Sequence, residues 1–167
     1  MKYILLSIML FCISCSQSAD SKLTQQNNTN QTTNPEKEKI IASALTFINS
    51  YVENCNSVNN SLDVMDWVNS NKLTSQTFKN KLKSIIDEAL KSDPELGLGA
   101  DPIFDAQDYP ENGFEFESFN EATNYIVVRG KNWSEFKVAI KMKKQDNNWI
   151  VDGCGIVNIP ENQQAKR

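Results

Sequence analysis

The residues best suited to chemistry are carboxylates crowded between positions 93 and 111. This acidic loop contains Asp93, Glu95, Asp101, Asp105, Asp108 and Glu111, together with Tyr109. Clustered carboxylates can bind calcium, which takes about six to eight oxygen ligands, or can supply a general acid and a general base. The spacing is not that of an EF-hand loop, which places acids at alternate positions around a central glycine.

We favour a plainer interpretation of the acidic loop, in which its acids cap turns and keep the protein soluble. On this interpretation the loop holds no metal ion and no catalytic residue. Asp101, Asp105, Asp108 and Tyr109 are kept as possible contacts for a ligand or partner. The competing interpretation is a hydrolase or isomerase that uses the loop carboxylates as its acid and base.

The chain contains no histidine, and this excludes several kinds of site. Ser–His and Cys–His nucleophilic catalysis and histidine-ligated zinc are all impossible without an imidazole. The segment Gly97-Leu98-Gly99 lacks the later glycine, or the Gly-Lys-Ser/Thr, that phosphate-binding loops require. The lack of these residues and motifs argues against an enzyme, and we expect that the protein uses no cofactor.

Three tryptophans differ in their surroundings. Trp67 and Trp149 lie in apolar patterns, which predict that both belong to the core. Trp133 lies among polar residues in Gly130-Lys131-Asn132-Trp133-Ser134-Glu135, between two predicted strands. An exposed tryptophan beside Lys131 is typical of a partner contact, because tryptophan is enriched at binding hot spots. The alternative is an indole that folds back over the edge of the sheet.

The amino terminus, MKYILLSIMLFCISC, has one lysine followed by an apolar run from Tyr3 to Ile13. The run is shorter than the roughly 20 residues that span a bilayer, and it fits the apolar region of a secretory signal, about 7–15 residues long. Ile13-Ser14-Cys15 resembles the lipobox of bacterial lipoproteins, although Cys12 stands where that family usually has leucine.

The lipobox resemblance implies a signal peptide over residues 1–14, cleavage before Cys15, and lipid attached to that cysteine. It places the protein on a membrane of the bacterial cell envelope, on the periplasmic or surface side. The alternatives are an ordinary signal peptide with an incidental cysteine, or an amino-terminal membrane helix. A lipid site at Cys12 is disfavoured because Phe11 would occupy the position of a small residue.

Residues 15–34 comprise the lipobox cysteine and a polar segment. Residues 16–34 are almost entirely Ser, Thr, Gln and Asn, with Leu23 as the only large apolar side chain. Such a segment buries too little surface to offset its ordering entropy, so we expect a disordered tether. The formal net charge of −4 argues against binding to nucleic acid or to anionic lipid by charge.

Two cysteines, Cys55 and Cys154, remain once Cys15 is assigned to the lipid. An even pair in an oxidising compartment predicts a disulfide between them. The alternative is two buried free thiols, because the sequence does not show whether their Cα atoms come within bonding range.

Residues 35–160 are expected to form a single α+β domain, followed by a flexible tail at 161–167. Apolar residues recur at helical spacing from Ile40 to Cys55 and from Phe78 to Leu90, with a short helical element at Leu62–Val68. From Gly113 the period becomes two, which predicts four strands in an antiparallel meander packed on the helices. Phe114 and Phe116 should share the buried face, and the last strand should run from Trp149 to Val157.

Helices followed by an antiparallel sheet resemble the nuclear-transport-factor-two-like cone, and in particular its uncharacterised secreted and lipoprotein members. The resemblance rests on Trp67-Val68, Lys72-Leu73-Thr74, Phe78, the Asp101–Asp108 stretch and Trp149-x-Val151. It implies a curved sheet wrapped around the first helix, with the acidic loop at the mouth of a cavity. Cone enzymes often use a His–Asp or Tyr–Asp pair, and only the second is available to this chain.

We therefore expect a non-enzymatic binding or accessory protein, lipid-anchored in the cell envelope, that contacts an envelope protein or small ligand. A specific form is an immunity or inhibitor protein that blocks a secreted toxin enzyme, whose basic site the acidic surface would suit. The carboxylate hydrolase or isomerase is the second hypothesis, and a purely structural envelope role is the third.

Overall fold

The computed structural model describes residues 34–166. The predicted signal peptide, the predicted lipid site at Cys15 and the predicted tether before Asn34 lie outside the described residues. The helices are α1 Pro35–Asn56, α2 Val64–Ser70 and α3 Gln76–Ser92, and the strands are β1 Phe114–Asn120, β2 Tyr125–Gly130, β3 Lys137–Gln145 and β4 Asn148–Cys154. Among the described helices, none has the length and apolar character needed to cross a membrane.

Polar side chains set the start of all three helices by accepting from otherwise unpaired backbone amides. Asn34 accepts from the amide of Glu36 ahead of α1, at 3.1 Å. Asp63 accepts from two amides at the start of α2. Ser75 accepts from the amide of Phe78 and so starts α3.

Helix α1 lies across the sheet and contacts all four strands, while α3 packs on α2 and β4. One stripe of α1 is buried, and its members repeat every three or four residues as a helix buried on one face requires. They are Ile40, Ala44, Phe47, Ile48, Tyr51 and Val52. The helices therefore cover one face of the sheet, and the predicted α+β class is confirmed.

The sheet is an antiparallel meander in the order β1-β2-β3-β4. In β1 the prediction that two phenylalanines share the buried face is wrong for one of them. Phe114 is buried, whereas Phe116 is 36% exposed. Phe116 lies on an edge strand, and the register of β1 against β2 shifts directly after it, between Phe116 and Ser118.

The last strand ends at Cys154, three residues before the predicted end at Val157. Gly155 has a φ of +59°, and a Cβ there would lie 2.4 Å from the carbonyl oxygens of Pro102 and Ile103. Only glycine fits this close approach, so the chain turns out of the strand here. Beyond it, residues predicted as a flexible tail form a short 3-10 helix at Glu161–Gln163.

The space between α1 and the sheet is filled by aromatic rings. Phe47 packs on Trp67 and Phe78, with ring centroids 5.4 and 5.9 Å apart. Phe104 lies 5.0 Å from Tyr51 and 5.9 Å from Phe114. Helices that precede and cover a four-stranded antiparallel sheet are consistent with a cone-like fold, and here aromatic side chains occupy its interior.

Candidate functional site

Asp101 organises the centre of the acidic loop. Its Oδ1 accepts hydrogen bonds from the amides of Ile103 and Phe104, at 2.8 and 2.9 Å. The backbones of Asp101 and Ala106 pair across the same turn, and Asp105 has a φ of +53°. Aspartate is common in such turns because its carboxylate bonds the backbone two or three residues ahead.

The other oxygen of Asp101 accepts a hydrogen bond from the hydroxyl of Tyr51 on α1. Burial raises the pKa of Asp101, against the opposing effect of its hydrogen bonds. Burial is also the main reason that the pKa of Tyr51 is raised, with the neighbouring Asp101 charge adding to it. Both carboxylate oxygens are therefore committed to donors within the fold.

Tyr109 fastens the end of the acidic loop to the end of α1. Its ring stacks on Phe104 with centroids 4.9 Å apart and an interplanar angle of 11°. Its hydroxyl donates to Oδ1 of Asn56 at 3.0 Å, and the Asn56 amide donates to the carbonyl of Glu111. Tyr109 and Asp101 are thus brought to the same end of the domain.

The remaining acids of the loop are not gathered into a single site. Asp105 is half-buried and Asp108 is exposed. Within residues 34–166, no group of three or more carboxylates and thiols is arranged to hold a metal ion. Of the carboxylates predicted to contact a ligand or partner, Asp108 is therefore accessible from solvent, whereas Asp101 is hydrogen-bonded within the fold.

Trp133 is partly packed and partly exposed, so each of the two interpretations from the sequence describes part of its indole. Its ring meets Phe136 edge to face with centroids 4.9 Å apart, so it does fold back over the end of the sheet. It remains 44% exposed, and its loop is tied by backbone hydrogen bonds to Gly130 and Phe136. The indole is therefore a supported aromatic surface that solvent still reaches.

A shallow cleft of about 130 Å³ lies beside Lys131, two residues before Trp133. Its lining includes Asn49, Glu53, Asn56, Glu111 and Lys131. Among the ion pairs formed by residues 34–166, none involves Glu53, Glu111 or Lys131. We call this cleft, together with Asp108 and Trp133, the loop-end surface.

Both predicted disulfide partners are free thiols in the structure. Cys154 is fully buried, and its thiol lies 3.6 Å from the carbonyl oxygen of Ile103, to which it donates. Cys55 is half-buried, and burial raises its pKa to about 11. The structure does not contain the bridge, which stays a prediction from the cysteine count.

Trp149 has a role that the sequence pattern missed. It packs against the core as predicted, but it is only half-buried and lines two clefts. The larger, about 330 Å³, is also lined by Ser43, Lys72, Gln145, Asp146 and Asn148. The smaller, about 140 Å³, includes Glu36, Lys37, Ile40, Phe119 and Glu121. In the sequence, the polar turn at residues 145–148, directly before Trp149, was the one feature that indicated an exposed position for this side chain.

The indole of Trp149 is held in a fixed orientation. Its Nε1 donates to Oε1 of Glu36 at 2.9 Å, and Lys144 donates to the same oxygen at 2.6 Å. These two hydrogen bonds, that of Lys144 first, lower the pKa of Glu36. The Lys144 ammonium also lies 5.8 Å from the centroid of the indole ring. We call the two clefts and their shared indole wall the Trp149 clefts.

Comparison with protein-family models, curated proteins and solved structures found no match to this chain. The fold and the two surfaces are therefore interpreted from their own geometry.

Proposed function

We propose that this chain is a non-enzymatic binding protein of the bacterial cell envelope, anchored by lipid at Cys15, that holds a partner on its loop-end surface. The observation that carries the proposal is Trp133, which is 44% exposed and supported from behind by Phe136. A tryptophan held in this way presents a large contact area at small entropic cost, as binding hot spots do.

The position of the loop-end surface suits a protein tethered at its amino terminus. The described chain begins at Asn34, at the start of α1. The loop-end surface lies at the other end of that helix, where Asn56 bonds Tyr109 and Glu111. At 1.5 Å per residue, α1 separates the two ends by about 33 Å. An anchor at one end would leave the opposite surface free to meet a partner.

The interior favours binding over catalysis. Aromatic rings occupy the space in which a cone enzyme would hold its substrate. Tyr51 and Asp101 do form a Tyr–Asp pair, but they lie among these rings, and the carboxylate is committed to three donors. A general base needs a free lone pair within reach of a substrate proton. The hydrolase or isomerase hypothesis is therefore the weaker one.

The charges of the loop-end surface favour a basic partner. Glu53 and Glu111 line its cleft and outnumber the one cation there, Lys131, and Asp108 is exposed nearby in the sequence. Unpaired acids attract a cationic surface and speed its approach. This supports the inhibitor form of the proposal, in which the partner is a secreted toxin enzyme with a basic site.

Site-specific photo-crosslinking in cells tests the proposal. A benzophenone amino acid replaces Trp133 in one variant, and in a matched control it replaces Lys83, an exposed residue on α3. We expect a discrete adduct from position 133, identified by mass spectrometry, and none from position 83. Adding Glu53→Lys and Glu111→Lys to the position-133 variant should diminish that adduct at least about tenfold, because two attractive charges become repulsive.

Two outcomes count against the proposal. The loop-end surface has no partner if position 133 gives no discrete adduct or gives the same adducts as position 83. The partner is not selected by charge if both Glu→Lys changes leave the adduct unaltered, and the inhibitor form is then wrong.

A further inference from the structure

The Trp149 clefts lie away from the loop-end surface, around the opposite end of α1. Ser43, Ile40 and Glu36 follow one another at helical spacing along the helix and line the clefts from one side. The β3–β4 turn, with Gln145 and Asn148, lines the larger cleft from the other side. Trp149 forms the wall that both clefts share.

The charged groups that line the smaller cleft are paired: Glu36 accepts from Lys144, and Lys37 lies 3.7 Å from Glu121. The larger cleft presents the hydroxyl of Ser43, the amides of Gln145 and Asn148, and one side chain of each charge, Lys72 and Asp146. The Asn148 amide donates only a long hydrogen bond of 3.3 Å, to the carbonyl of Asp146. The charges of Lys72 and Asp146 balance, so the larger cleft carries no net charge, and its hydroxyl, amide and charged groups can all bond the hydroxyls of a neutral ligand.

The indole adds an apolar wall that is fixed before any ligand arrives. Its N–H is already used by Glu36, and the Lys144 ammonium lies 5.8 Å from the ring centroid, so the rest of the exposed indole offers ring surface. A fixed aromatic wall beside hydroxyl and amide groups matches a sugar ring, whose C–H faces are apolar and whose edge carries hydroxyls. The larger cleft, about 330 Å³, lies at the lower end of the size range of small-molecule sites.

We propose that the Trp149 clefts bind a neutral oligosaccharide, with one sugar ring against the Trp149 indole and its hydroxyls bonded to Ser43, Gln145 and Asn148. This site is separate from the loop-end surface and does not depend on a protein partner there. A glycan bound in these clefts would hold the domain near the amino-terminal end of α1, in addition to any partner on the loop-end surface.

The test uses the chain from residue 16 onward, labelled with ¹⁵N. It is titrated with chitotetraose, maltotetraose and cellotetraose up to about 10 mM, so that weak binding is also detected. We expect at least one oligosaccharide to shift the Trp149 indole signal and the amide signals of Gln145 and Asn148 saturably. The indole signals of Trp67 and Trp133 should stay in place.

Variants then distinguish binding at a specific site from nonspecific binding. Ser43→Ala with Gln145→Ala should weaken binding about tenfold or more, because each change removes a group that hydrogen-bonds the sugar. Asn80→Ala on α3 is the matched control and should leave affinity unchanged. The proposal is overturned if no oligosaccharide gives saturable shifts, if the shifts centre on Trp133, or if the double variant binds as well as the unaltered chain. None of these results bears on crosslinking at position 133.

Discussion

At the scale of single residues, the carboxylate of Asp101 connects the acidic loop to α1. One oxygen accepts from two loop amides, and the other accepts from Tyr51. In the sequence, the loop carboxylates suggested acid–base chemistry. In the structure, the carboxylate of Asp101 instead holds the loop against α1. Its position next to Tyr51, fifty residues earlier, could not be foreseen from local pattern.

Burial of Asp101 predicts a specific pH dependence of stability. Because its pKa is raised in the folded protein, the folded state holds this proton more tightly than the unfolded state. The contribution of Asp101 is therefore fully present below the ordinary aspartate pKa and is lost as pH rises through the raised value. Asp101→Asn keeps the acceptor for the two loop amides and removes the titration.

Urea unfolding between about pH 3 and pH 7 measures this effect, since the ordinary aspartate pKa lies near 3.9. The free energy of unfolding of the unaltered protein, minus that of Asp101→Asn, should fall as pH rises. Asp108→Asn at an exposed position controls for the change in net charge. A difference that stays flat or rises with pH would show that the burial of Asp101 does not govern its titration.

At the scale of elements, Asn49 joins α1 to the first strand. Its Oδ1 accepts from the amide of Phe114 at 2.7 Å, and its Nδ2 donates to the Phe114 carbonyl at 3.1 Å. Nδ2 also donates to the carbonyl of Leu45 within the helix. The side chain therefore satisfies the backbone at the start of β1 and forms one wall of the loop-end cleft.

Asn49→Ala should destabilise the protein by about 2–4 kcal/mol, because it leaves the amide and carbonyl of Phe114 without these partners. Hydrogen exchange should show faster exchange of the Phe114 amide, and urea unfolding gives the free energy. Asn80→Ala, on the exposed face of α3, is the matched control and should cost at most about 0.5 kcal/mol. Equal costs for the two variants would contradict the role given to Asn49.

The elements themselves were largely predictable, and the places where prediction failed depend on contacts between segments distant in the sequence. Phe116 was misplaced because β1 is an edge strand, and how deeply its side chains are covered depends on tertiary packing that the alternation of Phe and Glu does not encode. The Trp149 clefts were missed because Ser43 and Gln145 meet only through the tertiary fold.

At the scale of the whole molecule, α1 connects two surfaces with different chemistry. The Trp149 clefts lie around its beginning, and the loop-end surface lies around its end. The proposed function therefore depends on the anchor at Cys15, which the sequence predicts and which lies outside the described residues.

Metabolic labelling with an alkynyl fatty acid tests that anchor most directly. The full chain should take up label and sediment with membranes, and Cys15→Ala should lose both properties because no other cysteine follows a lipobox pattern. Cys12→Leu, which gives the residue usual at that position, is the matched control and should be labelled as well as the unaltered chain. Undiminished labelling of Cys15→Ala would contradict the account.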